Sequence, residues 1–320
     1  MVTQNQTAVM VQEFILAGFP GFQDRFSRNT IFGTLLTIYI FILLGNMLII
    51  MIFLQDKELH VPMYILISNL ALVDIIISST TIPNMLFLFR SGSASLSLPS
   101  CFMQMFFCGA MTTAESLLLG LMAYDRYVAI CKPLHYYTIM SNSLVRKQIV
   151  CCWLCVLIIM IIPVTLTFKL HFCGPNIVLH CFCDNSAVLK LACSDTTPNT
   201  YVVLSIGLLV MIGPLIYILF SYTRIIISVL HISSSEGRFK AFSTCGSHLL
   251  VLLVFFLVGA GVYIANRVPS TSVDVRILAS LIQNITPPLL NPIIYCWRTK
   301  DIRDSIRKVL KINNILPNRY

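Results

Sequence analysis

Hydrophobic residues in this chain are concentrated in seven long blocks that alternate with short polar segments. Each block is at least about 20 residues long, the length an α-helix needs to cross the hydrocarbon core of a bilayer. Because lipid offers the backbone no hydrogen-bond partners, we predict an all-α membrane protein with a seven-transmembrane helix bundle. The blocks are Ile31–Leu54, Val61–Phe89, Cys101–Tyr124, Gln148–Phe168, Tyr201–Thr223, Ala241–Asn266 and Ile277–Trp297.

A shorter amphipathic segment, Lys300–Lys311, follows the last block. It places Ile302, Ile306, Val309 and Leu310 on one helical face and basic residues on the other. This pattern predicts a short cytosolic amphipathic eighth helix that lies on the inner leaflet. The chain then divides into an N-terminal segment (residues 1–29), a seven-span domain (residues 30–297) and the eighth helix with the tail (residues 298–320).

Composition and charge placement support this interpretation and give an orientation. The chain is 57% hydrophobic and 11% charged, whereas soluble domains carry roughly a quarter charged residues. Of the 22 Lys and Arg residues, 15 fall on the side of the C-terminus. Basic residues favour the cytosolic side, so we predict a plasma-membrane protein with an extracellular N-terminus and a cytosolic C-terminus.

The net charge of +9 then indicates membrane lipid rather than nucleic acid as a partner. Asn5 begins an N-glycosylation acceptor on the outer side.

Two acidic residues, Asp74 and Glu115, lie inside the apolar blocks. An ionised carboxylate at the bilayer centre costs roughly 2.5–3.5 kcal/mol even on lenient insertion scales. Residues that carry such a cost usually have a function, so both acids are candidates for an ion or proton site. Two separately hydrogen-bonded neutral acids remain the alternative.

Several motifs at the ends of the blocks resemble those of one receptor family. The string Met122–Cys131 reads MAYDRYVAIC, Lys240–Leu249 reads KAFSTCGSHL and Pro288–Tyr295 reads PLLNPIIY. Together and in this order, these strings resemble those of olfactory receptors, which are rhodopsin-like class A G-protein-coupled receptors. The doubled proline Pro287-Pro288 and Arg267 resemble the class I, fish-like branch.

The resemblance implies an odorant receptor and not an enzyme. Such a receptor binds a small, mostly apolar ligand within the helix bundle, and in the fish-like branch that ligand carries a carboxylate. It activates an olfactory, stimulatory-type G protein, which raises cyclic AMP. No cofactor is implied, apart from Na⁺ at the two buried acids. A membrane transporter or channel is the first alternative, although the chain shows no internal repeat. A non-olfactory small-molecule G-protein-coupled receptor is the second.

The resemblance also assigns an activation switch. Arg126 pairs with its neighbour Asp125 in the resting state and is freed to meet the G protein when the sixth spanning helix moves outward. Tyr222 is then expected to meet Tyr295 or Arg126. The predicted switch consists of Asp125, Arg126, Tyr127, Tyr222, Asn291, Pro292 and Tyr295.

A ligand site is predicted on the outer half of the bundle. On the third block, small residues recur at helical spacing and leave volume, although small residues also serve close helix packing. The resemblance implies that Arg267 binds an acidic ligand group. The competing interpretation is a solvated loop charge, for which Asp274 is an available partner. It also implies that Asp74 and Glu115 face each other near Asn46 and Asn291 and hold Na⁺ or share a proton. The predicted ligand residues are Cys108, Gly109, Thr112, Thr113, Ser186, Val203, Gly207, Gly259, Tyr263 and Arg267, with Ser116 beside them.

Five cysteines fall in the predicted outer segments, where disulfides are expected. The string His180–Asp184 contains groups that could hold a metal, but a cysteine in a disulfide is not a thiolate ligand, so we predict no metal site. The resemblance implies the pairs Cys101–Cys183 and Cys173–Cys193, which leaves Cys181 over, and a pairing that uses Cys181 stays open.

Overall fold

The computed structural model describes residues 11–173 and 175–312, except for the side chains of residues 240–244 and 310–312. It contains seven helices that are long and apolar enough to cross a membrane, which confirms the predicted bundle. The predicted glycosylation site at Asn5 and the tail residues 313–320 lie outside the described residues. The spanning helices are α1 (Arg25–Gln55), α2 (Pro62–Ser91), α3 (Leu98–Cys131), α5 (Asn142–Phe168), α7 (Thr197–Leu230), α8 (Ser235–Arg267) and α9 (Val273–Arg298).

The spanning helices extend beyond the hydrophobic blocks. Helix α3, for example, begins at Leu98, where the Ser97 side chain accepts a hydrogen bond from the Ser100 backbone N–H. Helix α5 begins in the same way after Ser141. Such side chains satisfy the unpaired N–H groups of a first helical turn, so a helix can start in the polar region ahead of its apolar part. The remaining helices are short: α4 (Tyr136–Ile139), α6 (Asn185–Leu189) and α10 (Lys300–Ile312).

The bundle has two distinct ends. We call one the disulfide end, because both disulfides lie there, and the other the Arg126 end. Between the ends, α7 exposes Leu209, Ile216 and Phe220, each at least 60% accessible. Apolar side chains exposed to this extent along a whole helix fit a lipid surrounding, because lipid does not penalise them as water does.

A small three-stranded sheet covers part of the disulfide end, and the sequence analysis did not predict it. Its strands are β1 (Glu13–Leu16), β2 (Ala94–Ser97) and β3 (Ile177–Val178), in the order β2-β1-β3. Strand β1 is antiparallel to β2 and parallel to β3. Phe14 and Leu16 are fully buried on one face. The N-terminal segment is thus a structural part of this end of the bundle.

Helix α10 packs against the bundle at the Arg126 end. Ile302 and Val309 are 1% and 5% accessible, so the apolar face of this helix is buried in protein. The Ser305 hydroxyl donates to Asp56 Oδ2 over 2.6 Å, and Lys308 Nζ lies 3.1 Å from Asp56 Oδ1. The predicted amphipathic helix therefore exists, and Ile302 and Val309 on its apolar face pack against the bundle.

The Asp56 carboxylate is the centre of this contact. The hydrogen bond from Ser305 lowers the pKa of Asp56, and Lys308 lowers it further, whereas burial acts in the opposite direction. A carboxyl whose pKa is lower in the folded state stabilises the fold above its unfolded-state pKa. This stabilisation is lost as the pH falls through the lowered, folded-state pKa of Asp56.

We expect Asp56→Asn to loosen α10, because the substitution removes the charge that binds Ser305 and Lys308. Hydrogen bonds to charged groups contribute about 1.5–3 kcal/mol, so backbone amides 300–312 should exchange with deuterium about tenfold faster or more at pH 7. The matched control is Asp304→Asn, since the Asp304–Arg307 ion pair is exposed and such pairs contribute roughly 0–1 kcal/mol. Equal exchange rates in the two variants would contradict a role for Asp56.

Candidate functional site

A cavity of about 610 Å³ lies between α3, α5, α7, α8 and α9 at the disulfide end. Residues 182–190, which include α6, cover part of it. All ten predicted ligand residues line this one cavity, and so does Ser116. They are Cys108, Gly109, Thr112, Thr113, Ser186, Val203, Gly207, Gly259, Tyr263 and Arg267.

Most of the cavity wall is apolar. The hydroxyls of Thr112 and Thr113 donate to backbone carbonyls one turn earlier, at Cys108 and Gly109. Their hydrogen atoms are therefore directed into the helix and away from a ligand. The Ser116 hydroxyl donates to the Val210 carbonyl over 2.8 Å, which joins α3 to α7. The wall offers a ligand mainly apolar contact and few free donors.

Gly109 has a structural reason to be glycine. A Cβ atom at this position would stand 3.0 Å from the Met160 sulfur on α5. A larger side chain here would have to displace Met160. Phe255 and Phe256 both line the cavity, whereas Leu257 does not line it and is 68% accessible.

Several polar cavity residues were not predicted from the sequence. Cys108 Sγ donates to Asn284 Oδ1 over 3.2 Å, and the Asn284 amide donates to the Ser280 carbonyl. Ser280, Asn284 and Asn291 recur at helical spacing within an apolar block, and from this pattern a polar face of the helix could have been predicted. The other unpredicted polar residues in the wall are Asp184, Asn185, Lys190, Thr196, Thr200, Asn266, Arg276 and Gln283.

Basic side chains surround the part of the cavity nearest the disulfide end. Arg267 is the last residue of α8, and its guanidinium carbon lies 5.5 Å from the centre of the Tyr263 ring. Asp274 accepts a hydrogen bond from the Gly21 backbone N–H over 3.3 Å and forms no ion pair with Arg267. The competing interpretation was a solvated charge, and Arg267 is exposed; only its pairing with Asp274 is absent from the structure.

Two disulfides hold the outer loop over the cavity. They join Cys101 to Cys183 and Cys173 to Cys193, as the resemblance implied. Cys181 is fully buried and forms no disulfide, and burial raises the pKa of its thiol. In addition, Gln104 Oε1 on α3 accepts a hydrogen bond from the Cys183 backbone N–H over 2.8 Å. The loop is thus fixed to α3 by a covalent bond and by a buried hydrogen bond.

Asp74 and Glu115 meet near the middle of the bundle. They are 0% and 2% accessible, and the Asn291 side-chain amide lies between them. Its nitrogen is 3.0 Å from Asp74 Oδ2 and 3.4 Å from Glu115 Oε1. One amide thereby links α2, α3 and α9, as the sequence predicted in outline.

Asn46, which the resemblance placed near the two acids, binds the backbone of α9. Its amide donates to the Pro288 carbonyl over 2.9 Å, one turn before Asn291, and its Oδ1 atom is buried without a hydrogen-bond partner. The neighbouring Gly45 permits this contact between α1 and α9. A Cβ atom at Gly45 would stand 2.9 Å from Pro292 Cγ.

A buried ion pair marks the opposite end of the bundle. Arg126 Nη2 lies 2.5 Å from Asp125 Oδ2, and Arg126 Nε donates to the same oxygen over 3.0 Å. The Tyr136 hydroxyl donates to Asp125 Oδ1 over 2.7 Å. Tyr136 was not predicted, because nothing in its sequence position shows that α4 turns back under α3. The pairing is the one expected for a resting receptor.

The three tyrosines of the predicted switch, Tyr127, Tyr222 and Tyr295, each contact a residue outside the Asp125–Arg126 pair. The Tyr222 hydroxyl lies 2.8 Å from His248 Nδ1, which joins α7 to α8, rather than meeting Tyr295 or Arg126. Tyr295 is buried, with its hydroxyl 4.0 Å from the Met122 sulfur. Tyr127 stacks on Tyr124 with ring centres 6.4 Å apart. The Tyr222–His248 contact was missed, since the sequence showed His248 only as an uncharged polar residue in a span.

Seven spanning helices, a cavity at one end and a buried Asp–Arg pair at the other define a seven-span receptor of the G-protein-coupled class. A family model described as "Olfactory receptor" matches residues 35–313. The chain is 40% identical over 310 residues to "Olfactory receptor 1E2" of Gorilla gorilla gorilla, covering 97% of each chain. It is 41% identical over 297 residues to "Olfactory receptor 2AT4" of Homo sapiens, covering 93% of this chain and 92% of that one.

This chain therefore belongs to the olfactory receptor family, whose members are signalling receptors and not enzymes. Membership implies odorant ligands and G-protein coupling in general terms. Its place in the fish-like branch stays a prediction.

We expect Gly45→Ala to destabilise the bundle, because the added methyl group would overlap Pro292 and push α1 from α9. Overpacking of this kind typically costs about 1–3 kcal/mol, which should lower the melting temperature of the purified receptor. The matched control is Gly33→Ala on the same helix, where a Cβ would meet no atom within 4 Å. A melting temperature that is unchanged in Gly45→Ala would contradict the close α1–α9 contact.

Proposed function

We propose that this receptor binds a small, mostly apolar odorant in the 610 Å³ cavity and then activates an olfactory, stimulatory-type G protein, which raises cyclic AMP. The observation that carries the proposal is that ten residues predicted for ligand binding line one cavity, while Arg126 is held in an ion pair at the other end. The orientation that goes with it has an extracellular N-terminus and a cytosolic C-terminus in the plasma membrane.

The size and wall of the cavity support a small ligand. Ligand sites generally enclose about 300–1,000 Å³ and combine an apolar wall with a few polar groups. The wall here includes Met160, Met211, Phe255 and Phe256. Methionine side chains are flexible and fill irregular gaps, so the wall can adjust to odorants of different shapes.

A carboxylate is the polar group that the cavity favours. Arg267 lines the wall, and a guanidinium can donate two parallel hydrogen bonds to a carboxylate. The Tyr263 ring beside it helps to hold the cation in place through a cation–π contact. A cationic ligand would meet no counter-charge on α3, because Cys108 stands where amine receptors carry an acid.

Asp74 and Glu115 form the proposed ion or proton site. Two carboxyl groups that share one amide donor are expected to bind a cation between them or to share a proton. Hard cations such as Na⁺ prefer oxygen ligands, and the two carboxyl groups joined by the Asn291 amide offer such oxygens. These residues therefore fit Na⁺. Its charge would offset one of the two negative charges and hold α2 and α3 in the resting arrangement.

Activation is proposed to begin when an odorant displaces α8, the sixth spanning helix. Gly259 and Tyr263 on α8 line the cavity, and His248 lies further along the same helix, bound to Tyr222 on α7. A movement of α8 breaks this contact and leaves Tyr222 free to turn toward Tyr295 or Arg126. Arg126 then leaves Asp125 and meets the C-terminal helix of the G protein.

A cyclic-AMP reporter screen of short carboxylic acids, alcohols, aldehydes and amines tests this function. We expect agonists among the acids and their neutral analogues, and we expect Arg126→Ala to abolish every response while surface labelling stays unchanged. The matched control is Arg146→Ala, which removes an exposed arginine at the same end of the bundle. Full signalling by Arg126→Ala, or ligand-driven current without a G protein, would overturn the proposal.

Agonist potency in the wild-type receptor should depend on Na⁺, if the acids hold this ion, or on pH, if they share a proton. Asp74→Asn and Glu115→Gln should each remove that dependence, because one carboxyl group alone neither binds Na⁺ well nor shares a proton. The measurement is a concentration–response curve with Na⁺ replaced by choline, repeated at two pH values. Identical curves for wild type and both variants under all conditions would indicate two separate neutral acids.

A further inference from the structure

A second, smaller chamber of about 120 Å³ adjoins the odorant cavity at the disulfide end. Five residues line both spaces, so the chamber is a side branch of the cavity. We call it the side chamber. His180 lines the side chamber but not the main cavity. The shared residues are Ser186, Lys190, Asn266, Arg276 and Ser280.

The side chamber has an excess of positive charge. Lys190 and Arg276 line it, and no carboxylate does. Within residues 11–173 and 175–312, neither of these cations forms an ion pair. Asp184, in the same outer loop as Lys190, accepts hydrogen bonds from the Ser186 and Ala187 backbone N–H groups at 2.9 and 3.3 Å. Asp184 lines the adjoining main cavity, but among the described residues neither cation is paired with a carboxylate.

Arg276 is held in place but is short of acceptors. Its Nη2 atom donates to the Val268 carbonyl over 3.3 Å, and its Nε atom is buried without a partner. Among the described residues, no other acceptor serves this guanidinium. Buried donors without acceptors are costly. Arginine presents donors in a fixed fork that matches a carboxylate, so an anion would supply the acceptors that are missing.

His180 adds a neutral donor to the wall. The residue is 5% accessible, and burial lowers the pKa of its imidazole. Its Nδ1 atom accepts a hydrogen bond from the Phe182 backbone N–H over 3.4 Å, which places the proton of the neutral ring on Nε2. Its edge-on contact with the Phe182 ring, 4.3 Å between centres, fixes its orientation. The wall thus combines two cations with an oriented N–H donor.

We propose that the side chamber binds a carboxylate group, with Arg276 as its anchor, Lys190 as a second charge and His180 as a hydrogen-bond donor. The occupant is the head group of an acidic odorant whose apolar part lies in the main cavity, and this part of the proposal rests on the proposed function. Arg267, which is exposed at the end of α8, then binds the carboxylate first, as the acid enters, and Arg276 holds the carboxylate once the ligand has reached the side chamber.

Small fragments test the chamber without any requirement for signalling. The purified full-length receptor is titrated with sodium acetate or with acetamide, its neutral analogue, at constant ionic strength, and thermal unfolding is followed. We expect acetate to raise the melting temperature and acetamide to have no effect. Arg276→Gln should weaken acetate binding at least about tenfold, the loss expected for a charged hydrogen-bonded contact.

The controls separate this site from general effects of charge. Arg90→Gln removes an exposed arginine at the same end that lines neither space, and it should bind acetate as the wild type does. Equal stabilisation by acetate and acetamide, or undiminished acetate binding in Arg276→Gln, would overturn the proposal. A loss confined to Arg267→Gln would move the anchor to Arg267 and overturn it as well. So would stabilisation by sodium chloride equal to that by acetate.

A matched pair of agonists tests the head group in the working receptor. For a straight-chain acid and the alcohol of equal length, Arg276→Gln should lower the potency of the acid at least about tenfold and leave that of the alcohol unchanged. Equal losses for both ligands would show a structural effect and contradict the anchor. If no odorant raises cyclic AMP, the proposed function fails, while the acetate titration still decides whether the side chamber binds a carboxylate.

Discussion

Every charged group inside this bundle has to find its partner within the protein, because lipid provides none. The clearest example is the contact of the Asn291 amide with both Asp74 and Glu115. It joins three helices at a depth where an unpaired carboxylate would be too costly. The close approach of Gly45 to Pro292 and the hydrogen bond from Asn46 to the Pro288 carbonyl fix α9 from the other side. The position of Asn291, and with it the core of the bundle, depends on this set of contacts.

The same constraint links the two ends. Helix α3 carries Thr112 in the cavity wall, Glu115 one turn further on and Arg126 at the far end. Helix α8 carries Tyr263 in the cavity wall and His248 in its other half, where the Tyr222 hydroxyl is bound. A ligand that shifts α8 changes the partners of buried polar groups, and those groups must form new pairs. This exchange of partners is the physical basis of the proposed coupling between the cavity and Arg126.

The sequence predicted the spanning helices well because their signal is local: twenty apolar residues can satisfy their own backbone only as a helix. It did not predict the helix ends, which depend on capping side chains such as Ser97 and Ser141. The sheet was also missed, because β1 has four residues and pairs with β2 and β3, which lie far along the chain. Neither β1 nor its partners carry enough of a pattern to be recognised separately.

For the site, motif resemblance identified residues that spacing alone could not. The ten cavity residues come from four separate segments of the chain, the helices α3, α6, α7 and α8, and the spacing within each segment does not show that the four segments meet. Contacts between distant residues were the main omission. The contacts of Tyr136 with Asp125 and of Tyr222 with His248 are formed by loop and helix packing. Arg276 could not be predicted, because its proposed role depends on how few acceptors the described residues place around its guanidinium.

The central claim is that occupancy of the cavity releases Arg126 by moving α8 away from α3. Spin labels at Lys132, after the end of α3, and at Glu236, in the first turn of α8, would measure this distance by electron resonance in the purified receptor. We predict that the distance increases when a saturating agonist from the reporter screen is added. An unchanged distance, with agonist binding demonstrated in the same sample, would contradict the account.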